Sequence, residues 1–280
     1  MLSGRMNAEE YSRLKAAPPG SNFYYSILFQ PPESRHALIV LFAFHYEIHE
    51  ALLASSDPGV ARIRLQWWRD ELQRLFDHQS DHPLSVQLRA VVEKFGIHTS
   101  SLLNYMNAME LLVTSPSGSS IHDWIQNHYG GLAGFWNCAG QIAGSHHDDS
   151  LLINARNGVL VMFFEIVQNL RTLLARGFNP LPVTVMEQLG TGNMDLLANP
   201  GAGSRLFTGV IDHLITALDE CHGNFPVDER RKLLFSLVLN RLTTACCEEI
   251  RSDGYRLLDH RISLTPVRKL WIAVRTGLFV

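Results

Sequence analysis

The sequence predicts an all-α protein. Nearly every long segment has apolar residues recurring with a period near 3.6, no run alternates Val, Ile and Thr as a half-buried strand would, and Pro, Asp and Ser stand at the breaks between the periodic segments.

Taken in order, Asn7 or Ser12 opens a short helix that Pro18-Pro19-Gly20 ends, and a second short helix follows around 23–29. Pro31-Pro32-Glu33 starts a helix reaching about residue 54. Proline suits the first turn, where its missing N–H removes no helical bond, and the acid beside it suits the positive end of the helix dipole. Ser55-Ser56-Asp57-Pro58 breaks that helix and caps the next, 58–76. Further helices fit 83–95, 99–113, 120–143, 148–175, 204–222, 227–252 and 265–276. The low-complexity loop 190–203 has no composition shift on either side, and no long internal repeat is visible. The expectation is therefore one domain, 1–280, with 1–20 as a loosely packed N-terminal extension.

The segment 148–175 is apolar nearly all round at Leu160-Val161-Met162-Phe163-Phe164 and Ile166-Val167, so it is expected at the centre of the fold. Its polar residues Glu165, Gln168, Asn169 and Arg171 then need partners or line a cavity. The segment 37–51 behaves alike, with His45, Glu47, His49 and Glu50 beside an apolar run. The two helices are expected to face each other across a central, largely apolar pocket.

Composition narrows the function. The 280 residues carry 24 Lys+Arg and 27 Asp+Glu, a net charge of −3, with 46% apolar residues and only 18% charged. Such a chain is too apolar for disorder, and without a basic stripe it is not a nucleic-acid binder. Four of the cations are lysines and the rest arginines. Cys138, Cys221, Cys246 and Cys247 form no CxxC pair and read as free thiols in a reducing compartment. The N-terminus has acids and no apolar signal core, and the longest apolar stretches fall well short of the ~20 residues of a membrane span. A soluble protein is expected, cytoplasmic or peripheral at the inner membrane.

Several runs resemble a known family. Ser21-Asn22-Phe23-Tyr24, Leu28 through Pro32, Arg35 and Leu41-Phe42-Ala43-Phe44 look like the opening of squalene and phytoene synthases, ahead of their first aspartate-rich motif. Leu65-Gln66-Trp67-Trp68-Arg69-Asp70-Glu71-Leu72 is similar to the family's LxWWRxEL helix, and Leu170-Arg171 with Leu181-Pro182 resembles its NILRD…YLP segment. The resemblance implies an isoprenoid-synthase fold, antiparallel helices around a central cavity. In active members two aspartate-rich motifs hold Mg²⁺ ions, which bridge prenyl diphosphates and draw off the leaving group.

Both motifs depart from that pattern. The first reads His49-Glu50-Ala51-Leu52-Leu53, with Tyr46 where a basic residue is usual. In the second, Thr172 follows Arg171, and Arg176 stands at the next acidic position. No aspartate occurs from 36 to 56 or from 150 to 194. The pattern resembles the family's non-catalytic branch, which includes a mitochondrial complex I assembly factor. It implies a pseudoenzyme that binds a partner protein at a membrane surface or a prenyl or lipid chain, in respiratory-complex assembly, with no cofactor. The rival is a surviving prenyl-diphosphate transferase using Mg²⁺, with Glu47, Glu50 and Glu165 as reduced ligands and Arg171 and Arg35 on the phosphates.

The substrate-binding candidates are Arg35, Tyr46, His49, Gln168 and Arg171. His45 and His49, one helical turn apart, suggest with Glu165 either a transition-metal site or a histidine pair hydrogen-bonded inside the old cavity. Trp67-Trp68 reads as core or as a stacking platform, and Arg69 with Asp70 and Glu71 as a solvated or ion-paired face or an anion contact. Asp148-Asp149 reads as a helix cap, and Gly130-Gly131-Leu132-Ala133-Gly134 as close helix packing.

Overall fold

The computed structural model describes residues 7–53, 57–77, 79–80, 82–114, 120–181 and 204–280. The loop 190–203, Ser55, Ser56 and Pro182 lie outside the described residues. Among the described residues there are twelve helices and no strand. They are α1 (Ala8–Ala16), α2 (Asn22–Ser26), α3 (Pro32–Leu53), α4 (Pro58–Phe76), α5 (Pro83–Phe95) and α6 (Thr99–Thr114). There follow α7 (Ile121–Ile142), α8 (Asp148–Gln168), α9 (Leu170–Ala175), α10 (Ser204–Asn224), α11 (Leu234–Ser252) and α12 (Pro266–Leu278).

The caps follow the sequence closely. Asn7, not Ser12, opens α1, its side chain accepting from the Glu10 N–H, while Asp57 and Ser120 cap α4 and α7 in the same way. At α8 the expectation needs correction: His147 is the cap residue, without a side-chain bond, and Asp148 and Asp149 sit in the first turn, where the helix dipole favours them.

Two expected helices are shorter. The segment 148–175 breaks at Asn169, whose side-chain amide donates to the Glu165 carbonyl (2.8 Å) and whose N–H is shared between the carbonyls of Glu165 and Ile166. Such local bonds tighten and end a helical turn. Residues 227–233 form turns rather than the start of α11, because the chain folds back through Arg230 N–H to Pro226 and Leu233 N–H to Glu229, with Glu229 buried. Nor are residues 8–20 a loose extension: α1 packs on α3 and α5, with Ser12 and Ala16 fully buried.

Two helices organise the packing. α3 lies against α1, α4, α5, α6 and α7, while α8 lies against α7, α10 and α11, so α7 touches both. α8 is long and apolar enough to cross a membrane, but 72% of its most apolar window is buried among its neighbours. Phe42 stacks on Phe23 (4.0 Å between centroids) and meets Phe135 and Trp136 edge-on, filling the space between α2, α3 and α7. Each fully buried ring of this kind stabilises by roughly 1.5–3 kcal/mol. Where α8 crosses α7, the Trp136 ring lies directly over Gly158, leaving no room for a Cβ, and at the α6–α7 contact Gly131 faces Ala108 in the same way.

Several polar groups inside this core pair with one another. Asn157 donates to the carbonyl and hydroxyl of Ser236, and Asn240 donates to Asn157 and to the Leu218 carbonyl, tying α8, α10 and α11 together. His45 is buried beside Phe42 and Phe135, with its Nδ1 hydrogen-bonded to the Tyr105 hydroxyl. Burial, with His49 nearby, depresses its pKa from 6.5 to about 3. The four cysteines are all free and buried.

Two outcomes are expected. Gly158→Ala should lower stability by roughly 2–3 kcal/mol in chemical denaturation, since neither the Trp136 ring nor the helix can yield cheaply. Between pH 6.5 and 3 the unfolded chain takes up a proton at His45 that the folded chain refuses, so stability falls as pH falls through that window. His45→Leu should make that decline shallower, while lowering stability near neutral pH by about 1–3 kcal/mol because the Tyr105 hydroxyl is left unpaired.

Candidate functional site

A cavity of about 420 Å³ opens between the last turns of α3 and α8. Four sequence candidates line it: Tyr46 and His49, three residues apart on one face of α3, and Glu165 and Gln168, likewise on α8. The remaining wall comes from the start of α2 and from Cys246, Arg261, Ser263, Leu264 and Lys269. The pocket expected between the two helices is thus present, but its lining is polar rather than apolar, with Phe23 and Leu264 as its aliphatic or aromatic hydrocarbon surfaces.

The loop carrying Arg261 is held by α8 and α9. Gln168 donates to the Ile262 carbonyl at 2.7 Å, and Arg171 donates to the carbonyls of Leu258 and Asp259. The Lys269 ammonium donates to the Gly20 carbonyl at 2.9 Å, fastening α12 to the chain ahead of α2. Arg171 therefore positions a wall of the cavity without entering it. Arg35 also stays outside, donating to the carbonyls of Leu28 and Gln30 (2.9 Å each) and so closing the bend between α2 and α3.

The carboxylates are distributed unevenly. Glu47 accepts from the Tyr11 hydroxyl and from Lys15 (2.9 Å), and Glu50 pairs with Lys15 (2.7 Å) on the flank facing α1. Both line a shallow groove with Trp67 and Arg64 rather than the cavity. Among the described carboxylates Glu165 alone lines the cavity. Burial raises its pKa from 4.5 to about 7, with Arg261 acting in the opposite direction. Burial also raises the Tyr46 hydroxyl well above its usual value and lowers His49, with Arg176 adding to the His49 shift against Glu50. Burial and the neighbouring Arg261 lower Lys269. Near neutral pH the cavity thus holds neutral Tyr46 and His49, a partly ionised Glu165 and two cationic side chains, and it favours an anion.

Arg176 sits where the second aspartate-rich motif would have an acid. Its guanidinium donates to the Leu53 carbonyl at 2.6 Å, so the end positions of the two motifs are joined directly by a cation. Among the described residues no group of three or more His, Cys, Asp and Glu side chains is placed to hold a metal ion. His45 faces Tyr105 and the aromatic core, its ring centroid 6.2 Å from that of His49, and among the described residues it forms no metal-holding group with His49 and Glu165.

The remaining sequence candidates are structural. Trp68 is buried and Trp67 half-exposed; Arg69 pairs with Glu110 on α6 at 2.6 Å. Glu71, read from sequence as part of a solvated or ion-paired face, is ion-paired with Arg74 (2.8 Å) and buried, and it also accepts from Ser80. Sequence reasoning missed Arg261, Ser263, Lys269 and Cys246, which come from the last third of the chain, where no motif is legible. The acid-free run after Asp259 that holds Arg261 and Lys269 is the one local signal that marked it.

Comparison with known proteins agrees with the all-helical fold. In the solved structures, squalene synthase HpnC from Alicyclobacillus acidocaldarius superposes with a TM-score of 0.67 at 18% identity, covering 89% of this chain and 94% of that one. A dehydrosqualene synthase in complex with ligand gives 0.70 at 13% identity, covering 98% and 99%. YisP from Bacillus subtilis subsp. subtilis strain 168 gives 0.59 at 14% identity, covering 95% and 94%. At these identities the likeness establishes the isoprenoid-synthase fold. No curated protein sequence matches the chain. Residues 16–268, nearly its whole length, match squalene/phytoene synthase as a family, and the chain belongs to that family.

Proposed function

We propose that this member of the family does not ionise prenyl diphosphates and acts by binding, its cavity holding the anionic head group of a prenyl or other lipid-like ligand. The observation that carries the proposal is the Arg176–Leu53 hydrogen bond, which sets a guanidinium between the positions that, by resemblance, end the two aspartate-rich motifs. Mg²⁺ requires several oxygen ligands in near-octahedral arrangement. The described residues do not fit it: Glu47 and Glu50 are paired with Lys15, and Glu165 is the one described carboxylate in the cavity lining.

The same lining suits an anion held without metal. Arg261 and Lys269 supply charge and N–H donors, and Gln168 and Ser263 lie beside them. The cavity volume is within the range of small-molecule sites. With few hydrocarbon surfaces in the lining, recognition would rest on the head group rather than on the chain. The role in respiratory-complex assembly implied by the degenerate motifs would then be performed by the ligand-bound protein, with no turnover.

Calorimetric titration with farnesyl diphosphate tests this. The expected result is binding of equal strength with Mg²⁺ or with chelator, weakened roughly tenfold or more in Arg261→Ala. Binding that requires Mg²⁺, or that ignores Arg261, would contradict the proposal.

Glu165 gives a separate expectation in pH. Between 4.5 and about 7 the folded chain keeps a proton on Glu165 that the unfolded chain releases, so stability declines as pH rises through that window. Glu165→Gln should match the parent below that window and exceed it above about pH 8, by at most about 3 kcal/mol. Denaturation curves at the two ends of the window read this directly.

A further inference from the structure

α12 is inverted relative to an ordinary surface helix. Its inner side, with Ala273 fully buried and Gly277 against Leu234 and Phe29, packs on α11 and α2. Its outer side exposes Val267 (77%), Leu270 (44%), Trp271 (57%), Val274 (39%) and Leu278 (75%), with Phe279 (77%) just beyond the last turn. The five helical positions recur at spacings of three and four and form one stripe, where a water-facing surface would place polar residues. An adjoining groove of about 340 Å³, lined in part by Phe29, Leu234, Val274 and Leu278, continues the apolar patch around the helix.

Within the segment that carries the stripe the charges have one sign in sequence, while Glu248 and Glu249 of α11 stand beside it. From residue 260 to 280 there is no Asp or Glu, against Arg261, Arg268, Lys269 and Arg275. Arg268 pairs with Glu249 on α11 and Lys269 is turned inward to Gly20. Arg275 stacks over the Trp271 ring at 5.3 Å, and Arg231 lines the adjoining groove, so both stand at the edge of the apolar patch. A helix with Trp, Leu and Val on one side and arginines beside them matches the boundary of an anionic bilayer, apolar groups entering the acyl region and guanidinium groups meeting lipid phosphates. An anionic lipid surface is a better occupant than a second copy of the chain, because a two-fold contact would bring two arginine-edged patches together, whereas lipid phosphates offset that charge.

We propose that the α12 stripe docks the protein peripherally on an anionic lipid surface. This docking does not depend on what the cavity binds, and it would hold for a catalytic or a non-catalytic protein alike.

Co-sedimentation of the purified chain with vesicles tests it, using mixed phosphatidylglycerol–phosphatidylcholine and pure phosphatidylcholine. The parent should partition onto the anionic vesicles at least roughly tenfold better, with the difference shrinking at high salt. The double variant Trp271→Ser with Leu278→Ser should lose roughly tenfold or more of that partitioning. Arg231→Glu with Arg275→Glu should reduce it roughly tenfold on anionic vesicles and little on neutral ones. All four positions are surface side chains, and unchanged thermal melts of the variants would separate lost docking from lost fold. Failure of the parent to bind, equal binding to both vesicles, or variants that bind as the parent does would overturn the proposal. So would sedimentation showing that the apolar pair instead holds a dimer of the chain.

Discussion

Burying α3 and α8 among aromatic and aliphatic side chains leaves their few polar groups two courses, pairing locally or giving up charge, and both are taken. Glu47 and Glu50 turn to Lys15 on α1, at the flank of the bundle. His45 shares a hydrogen bond with Tyr105, and burial holds it neutral. Glu165, with no cation as close as those, answers burial by holding its proton up to about pH 7. Among the described residues Glu165 is thus the one carboxylate that lines the cavity, beside Arg261 and Lys269.

The cavity is assembled by contacts far apart in sequence. Gln168 and Arg171 grip the backbone of the loop before α12, and Lys269 grips the carbonyl of Gly20, so three elements separated by most of the chain meet at one wall. Arg171, a substrate-binding candidate from sequence, donates to the backbone of Leu258 and Asp259 just ahead of Arg261. Losing one such backbone contact would shift a charged residue of the site without touching the site itself. α12 serves two faces in this arrangement, delivering Lys269 to the cavity and presenting its apolar stripe outward.

Much of the fold was legible because it is encoded locally. Pro58 and Phe76, or Pro83 and Phe95, bound their helices to the residue, since prolines at the first turn, the Asp57 cap and the left-handed Gly96 after α5 act within a few positions. The family was legible in the run that ends at Phe44 and in the residues around Trp67-Trp68, which build the buried faces of α3 and α4. What was not legible depended on direction or on distance. Which way Glu47 and Glu50 point follows from Lys15, over thirty residues upstream, and the break at Asn169 depends on one side-chain amide choosing a carbonyl over solvent. Arg261 and Lys269 enter the site through long-range contacts, which no periodicity reports.

On the proposed reading, the Arg176–Leu53 closure and the one described carboxylate in the cavity lining leave the chain unable to ionise a prenyl diphosphate. The most direct measurement is release of inorganic diphosphate from farnesyl diphosphate by the purified protein in the presence of Mg²⁺. No release above a protein-free control is predicted; steady, Mg²⁺-dependent release that disappears in Glu165→Gln would contradict it.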